Sequence, residues 1–110
     1  MLDTALPFSC AIVPRRDAVH VIPSGELDMC TVEEVDARLA ELHLAGFDNI
    51  VVDLRGLTFF DSCGVNLLVQ WSRRAAAERF DFAVVDGNDI VQRVLALTGV
   101  EPHLRFVAGG

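Results

Sequence analysis

The segment from Ile50 to Leu54 constrains the fold more than any other, because apolar residues occupy almost every position of it. A strand with one face in water alternates polar and apolar residues, so a continuous run predicts a strand of a mostly parallel sheet, covered on both faces. Parallel strands need crossover connections, which are commonly helices. The segment from Ser62 to Glu78 has the helical spacing that such a connection requires.

The remaining segments predict one α/β domain with element order β-β-α-β-α-β-α-β. A hairpin is expected from Phe8–Val13 and Ala18–Ile22, and a first helix is expected after a capping box formed by Thr31 and Glu34. Pro23-Ser24-Gly25 is expected to end the second strand. The other expected elements are a strand at Phe82–Val85, a helix capped by Asn88 and ended by Gly99, and an edge strand within His103–Val107.

Length and composition restrict the possible functions. The 110 residues, 52% of them hydrophobic, suit a single domain over 1–110 with a core at about 8–107. The net charge of −7 disfavours nucleic acid as a partner, and no apolar run is long enough to cross a membrane. The N-terminal residues do not resemble an export signal, and three scattered cysteines suit a reducing cytoplasm.

The junction between Ile50–Leu54 and the second helix is the candidate site. Asp61 and Ser62 are both good N-cap residues, and a hydroxyl at the start of a helix lies at the positive end of its dipole. A phosphate on Ser62 would therefore change the surface charge without breaking the helix. If the sheet is parallel, Asp28 and the 86–89 segment emerge at the same edge as Ser62 and make it acidic.

Other chemistry has weaker support. Cys63 lies in a first helical turn, where thiol pKa values can be lowered, but a packed side chain is the favoured interpretation. The spacing of the three histidines predicts neither a metal site nor a catalytic base, and we expect no cofactor. A small thiol or serine hydrolase that uses Cys63 or Ser62 remains a less favoured alternative. Leu67, Leu68 and Trp71 span more than one helical stripe, so part of that surface is expected to be free for a partner or a second copy, as in a homodimer.

Three motifs, in this order, resemble the STAS domain, specifically the small bacterial anti-sigma factor antagonists. They are Gly25-Glu26-Leu27-Asp28, the segment from Val51 through Asp61-Ser62-Cys63-Gly64, and the segment from Val91 to Val100. The resemblance covers about 18–106. It implies a protein that, when unphosphorylated, binds an anti-sigma factor that is also a serine kinase, and so releases a sigma factor.

The resemblance also implies the roles of individual residues. Ser62 corresponds to the serine that the kinase phosphorylates and a serine phosphatase resets, and Asp28 to the aspartate near it. The implied partner-binding residues are Asp28, Asp61, Ser62, Cys63, Gly64 and Asn66. The family commonly has Ser or Thr at the position of Cys63 and often Gly at that of Asn66. The alternative is therefore a STAS scaffold that binds partners without being phosphorylated.

Overall fold

A computed structural model describes residues 7–109 and contains a five-stranded mixed sheet with three α-helices. This confirms the predicted α/β fold in one unit. The strands are β1 (Ser9–Pro14), β2 (Val19–Leu27), β3 (Asn49–Asp53), β4 (Leu57–Phe60) and β5 (Asp81–Val85). The α-helices are α1 (Val32–Leu44), α2 (Ser62–Glu78) and α3 (Asp89–Thr98), and short 3-10 turns span Leu54–Gly56 and Glu101–His103.

The sheet has the order β1-β2-β3-β5, and β4 pairs with the last part of β2. Only the β1–β2 hairpin is antiparallel among these pairs; β2–β3, β3–β5 and β2–β4 are parallel. One face of the sheet packs with all three helices in the main core. The other face is a smaller cluster of Val51, Ala83 and Val85, against which Ala18 and Val107 pack. The prediction that Ile50–Leu54 is covered on both faces is confirmed.

The predicted end of β2 at Pro23 is wrong, because the strand continues to Leu27. Proline has no N–H to give to a neighbouring strand and is normally excluded from the middle of a sheet. Here β3 pairs with Val19–Val21, and β4 pairs with Gly25–Leu27. Pro23 lies in the gap between these two partners, so its missing N–H costs no parallel ladder bond.

Strand β4 is absent from the predicted order, and the predicted edge strand at His103–Val107 is wrong. The four residues of β4 follow a 3-10 turn and do not alternate between buried and exposed, so they carry no strand pattern. At the C-terminal end, Glu101–His103 is a 3-10 turn with Pro102 at its start, a position that proline favours. Only a single bridge from Val84 to Phe106 remains of the expected strand.

The helix predictions hold in position but not in every detail. Helix α2 has the predicted limits, and α1 ends just before Gly46, whose φ of +95° suits glycine. The capping box is wrong: the Thr31 side chain makes no cap hydrogen bond to α1, because its hydroxyl accepts from the Asp28 N–H at 3.0 Å and donates to the Glu26 carbonyl at 2.7 Å. The expectation of a free apolar surface on α2 is also wrong, since Leu67, Leu68 and Trp71 are all buried.

Candidate functional site

Two aspartates come together where β2 and β4 end side by side. The last paired residues are Leu27 and Phe60, and the next residue in each strand is an aspartate, Asp28 or Asp61. Neighbouring strands lie about 4.8 Å apart, so the pairing brings both aspartates to one edge of the sheet. This pairing, which the sequence pattern did not predict, is what makes the two residues neighbours.

The two aspartates form the same local structure. The Asp28 carboxylate accepts a hydrogen bond from the backbone N–H of Cys30 at 2.9 Å, and the Asp61 carboxylate accepts one from Cys63 at 2.9 Å. A carboxylate bonded to the N–H two residues later forms an Asx turn, which commonly starts a helix. Asp61 is the N-cap of α2, and Asp28 precedes α1 by a few residues. Both carboxylates are therefore held in fixed directions by the backbone.

Ser62 is the first residue of α2 and is exposed to solvent. The first N–H groups of a helix have no partner within the helix, so the dipole is positive there. A negative group on the Ser62 oxygen would be favoured by these amides and disfavoured by the carboxylates of Asp61 and Asp28. Ser62 is thus exposed at a point where the helix amides attract a negative charge and the two carboxylates repel it.

Cys63 is partly buried next to the two carboxylates. The pKa of the Cys63 thiol is raised above its usual value. Desolvation is the largest cause, followed by the charge of Asp61, the hydrogen bond to Asp61 and the charge of Asp28. A nucleophilic cysteine needs the opposite shift, because the thiolate is the reactive form. The structure favours the packed side chain over the reactive thiol.

The other two candidate residues differ in exposure. Gly64 is buried, and a Cβ there would overlap the Phe60 ring and lie 3.1 Å from Cδ2 of Leu27. Glycine thus lets α2 start close to the ends of β2 and β4. Asn66 is exposed one turn further on and, with Cys63, lines an open groove of about 290 Å³ between α1 and α2.

The predicted acidic edge is divided in two by the presence of β4. The loop after β5 is tied to the start of that strand, because the Asn88 side chain donates to the Leu57 carbonyl at 3.0 Å. Asp28 and Asp61 instead follow its end at Phe60, about 10 Å further along at roughly 3.3 Å per residue. Asp86 and Asp89 are therefore not part of the cluster around Ser62.

None of the three histidines is near Ser62. His43 binds Glu78, the last residue of α2, at 2.7 Å, and Ser62 lies about 24 Å away at the other end of that helix. The His103 carbonyl accepts a hydrogen bond from Ser72, ten residues from Ser62, and His20 lies seven residues before Leu27 in β2. At this site a hydrolase would have no histidine to act as its base.

The chain's similarity to known proteins agrees with this architecture. Residues 10–106 match the protein family described as "Mlab, STAS domain". The chain belongs to the STAS domain family. The match covers all three α-helices and all five strands, apart from the first residue of β1.

Individual relatives are distant but similar along most of their length. An anti-sigma F factor antagonist of Lysinibacillus sphaericus is 28% identical over 90 residues, which are 81% of this chain and 77% of that protein. An anti-sigma factor antagonist from Mycobacterium paratuberculosis has a similar backbone, with a TM-score of 0.78, 21% identity and coverage of 96% of this chain and 91% of that one. The Bacillus cell fate determinant SpoIIAA in its phosphorylated form gives a TM-score of 0.67 at 23% identity, with coverage of 94% and 93%. The two backbone comparisons support the fold of this STAS domain.

Within 7–109, no helix is long and apolar enough to cross a membrane. In the same range, no group of three or more His, Cys, Asp and Glu side chains is placed to hold a metal ion.

Proposed function

We propose that this STAS domain is an anti-sigma factor antagonist of the bacterial cytoplasm. In its unphosphorylated form it binds an anti-sigma factor that is also a serine kinase, and a sigma factor is released. Phosphorylation of Ser62 ends the complex, and a serine phosphatase restores binding. The anti-sigma F factor antagonist among its relatives supports this function.

The observation that carries the proposal is the exposed hydroxyl of Ser62 at the first position of α2. A kinase needs an accessible hydroxyl, and Ser62 offers one beside the fixed carboxylates of Asp61 and Asp28. The likeness to SpoIIAA in its phosphorylated form supports the view that such a fold can carry the modification.

The switch is electrostatic in this proposal. Phosphoserine adds a charge of about −1.5 to −2 where two carboxylates already lie. A partner that covers this edge has to desolvate the new charge, and the amides of α2 compensate for it only in part. A loss of about 3–4 kcal/mol in binding weakens the complex by about 100- to 1000-fold, which is sufficient for a switch.

A scaffold that binds partners without phosphorylation is the second candidate. Cys63 and Asn66, which flank the acceptor, differ from the pattern that the resemblance implies. Neither residue buries Ser62, which is exposed to solvent beside Cys63 and one turn before Asn66. The position of Ser62 therefore favours the switch over the scaffold.

The experiment compares the affinity of four proteins for the cognate anti-sigma factor by titration calorimetry. Wild type and Ser62→Ala should bind equally, whereas Ser62→Glu should bind about 100-fold more weakly. Ala76→Glu places the same charge on an exposed position near the other end of α2 and should bind like wild type. Equal binding by the two glutamate variants would contradict the electrostatic switch.

Phosphorylation itself is tested separately. With the kinase and ATP, mass spectrometry should find one added phosphate on wild type and none on Ser62→Ala. A protein that binds the anti-sigma factor but remains unmodified would establish the scaffold instead. A second copy in place of that partner, as in a homodimer, would appear as a change in mass by light scattering.

A further inference from the structure

A second charged cavity lies at the end of β2 that is remote from Ser62. Its volume is about 330 Å³, and its lining includes Arg15 and Arg16 of the β1–β2 turn, His20 of β2, and Gly109. Seven residues separate His20 from Leu27, so the cavity is about 23 Å from the edge that carries Ser62. The proposed switch makes no use of it.

Neither of the two arginines of this cavity forms an ion pair in the described part of the chain. The ion pairs within 7–109 use Arg38, Arg55, Arg74 and Arg105, not Arg15 or Arg16. The turn that carries them is held firmly, because the Arg15 N–H donates to the Ala18 carbonyl at 2.9 Å and the Asn49 side chain donates to the Asp17 carbonyl at 2.8 Å. Two arginines on consecutive positions of a fixed turn, both lining one cavity, are a favourable arrangement for an oxyanion.

His20 supplies an independent observation at the same place. Only 9% of its surface is exposed, and its buried Nδ1 has no hydrogen-bond partner among residues 7–109. A buried polar nitrogen without a partner costs free energy, so such atoms in native proteins are normally paired with protein, water or ligand. Here the unpaired nitrogen belongs to a ring that lines a cavity with two unpaired arginines.

We propose that this cavity binds a small tetrahedral oxyanion, such as phosphate or sulfate. Arg15 and Arg16 supply most of the charge, and the His20 ring, which lines the cavity, adds a positive charge when it is protonated. The carboxylate of Asp17, which also lines the cavity, repels the anion and limits its affinity.

Binding should depend on pH through His20. Desolvation and then the charges of Arg15 and Arg55 lower the pKa of this histidine, and Asp53 partly opposes them. The charged groups around His20 are thus Arg15, Arg16 and Asp17 of the turn, together with Asp53 at the end of β3 and Arg55 after it. An anion in the cavity favours the imidazolium, so by linkage the protein binds an anion more tightly as the pH falls.

Sulfate is the best probe, because its own charge does not change in this range, whereas that of phosphate does. Calorimetry at constant ionic strength in chloride should show one saturable site, with affinity severalfold higher at about pH 6 than at about pH 8. The double variant Arg15→Ala/Arg16→Ala should bind at least about tenfold more weakly. Arg73→Ala removes an exposed arginine of α2 and should bind like wild type.

Further measurements test whether sulfate binds in this cavity and whether His20 causes the pH dependence. His20→Gln should lose the pH dependence of sulfate binding, and nuclear magnetic resonance should show the largest shifts at residues 15–20. Inorganic phosphate should compete with sulfate, and acetate should compete poorly. Absence of a saturable site, or equal weakening by Arg73→Ala and the double variant, would overturn the proposal. Ser62→Ala should bind sulfate as tightly as wild type. The sulfate test therefore remains valid even if the proposed phosphorylation switch at Ser62 is wrong.

Discussion

Gly64 shows how one missing side chain positions the candidate site. A Cβ at this residue would overlap the Phe60 ring, which is itself only 2% exposed and has no room to turn away. The first turn of α2 can therefore approach the ends of β2 and β4 only because residue 64 is glycine. The positions of Asp61 and Ser62 relative to Asp28 depend on this contact.

We expect Gly64→Ala to destabilise the domain. In an open helix the change would stabilise by about 1 kcal/mol, but overpacking a filled core costs about 1–3 kcal/mol. The net result should be a loss of up to about 2 kcal/mol in the free energy of unfolding, measured by urea denaturation. The exposed Asn66→Ala should stay within about 0.5 kcal/mol of wild type. An increase in stability for Gly64→Ala would mean that Phe60 is free to move.

Asp61 has two possible roles, which substitution separates. As the N-cap of α2 it accepts a hydrogen bond from Cys63, and an asparagine can do the same without charge. Asp61→Ala should lose about 1 kcal/mol of stability in thermal or urea unfolding, and Asp61→Asn should lose almost none. If Asp61→Asn nevertheless changes affinity for the anti-sigma factor, the charge of Asp61 acts in binding and not only in capping.

At the scale of elements, the helices and the strands β1, β3 and β5 follow from local patterns, whereas β4 and the full length of β2 do not. The limits of α2 could be predicted because its N-cap, apolar spacing and length all lie within one segment. Strand β4 and the continuation of β2 through Pro23 depend on which partner lies beside each residue, which is tertiary information. The Thr31 hydroxyl was mispredicted for the same reason, since its acceptor is the carbonyl of Glu26 in β2.

The turn between β3 and β4 is held by Asp53. Its buried carboxylate accepts hydrogen bonds from the Arg55 backbone at 3.0 Å and from the Arg55 guanidinium at 2.7 Å. Desolvation is the largest single influence on the pKa of Asp53, and it raises this pKa. The hydrogen bonds and charge of Arg55, together with the charge of His20, outweigh desolvation, so the pKa of Asp53 lies below its usual value. The pair thereby fixes the turn that brings β4 alongside β2.

We expect Asp53→Asn to lose about 1 kcal/mol of stability near neutral pH, a modest value because solvent screens the half-exposed Arg55. Since the folded pKa is lowered, the contribution is complete above about pH 4 and disappears as the pH falls through the folded value. Urea unfolding across this range should therefore show the two proteins converging in acid. Asp81→Asn, whose 3.8 Å pair with Arg105 is exposed, should match wild type throughout. A gap between Asp53→Asn and wild type that persists in acid would assign the loss to packing instead.

At the scale of the whole molecule, charge is distributed unevenly along β2. The edge beyond Leu27 carries Asp28, Asp61 and Ser62, and the opposite end carries Arg15 and Arg16. The acidic end could be predicted from the sequence because parallel strands end at one edge of a sheet, although the β2–β4 pairing that makes Asp28 and Asp61 neighbours could not. The basic end could not, since its cavity also needs His20 and Gly109, which lie far apart in the chain.

Because the site is at the surface, a charge on Ser62 should leave the domain intact. The amides of α2 favour a negative group at this position by about 0.3–1 kcal/mol, and repulsion from Asp61 and Asp28 opposes them. We therefore expect Ser62→Glu to change the free energy of unfolding by less than about 0.5 kcal/mol. In amide spectra, its shifts should be confined to the first turn of α2 and the turn after β2. Shifts throughout the core, or a large loss of stability, would mean that the charge acts by unfolding the domain. Weaker binding by Ser62→Glu would then no longer be evidence for a switch at the contact surface.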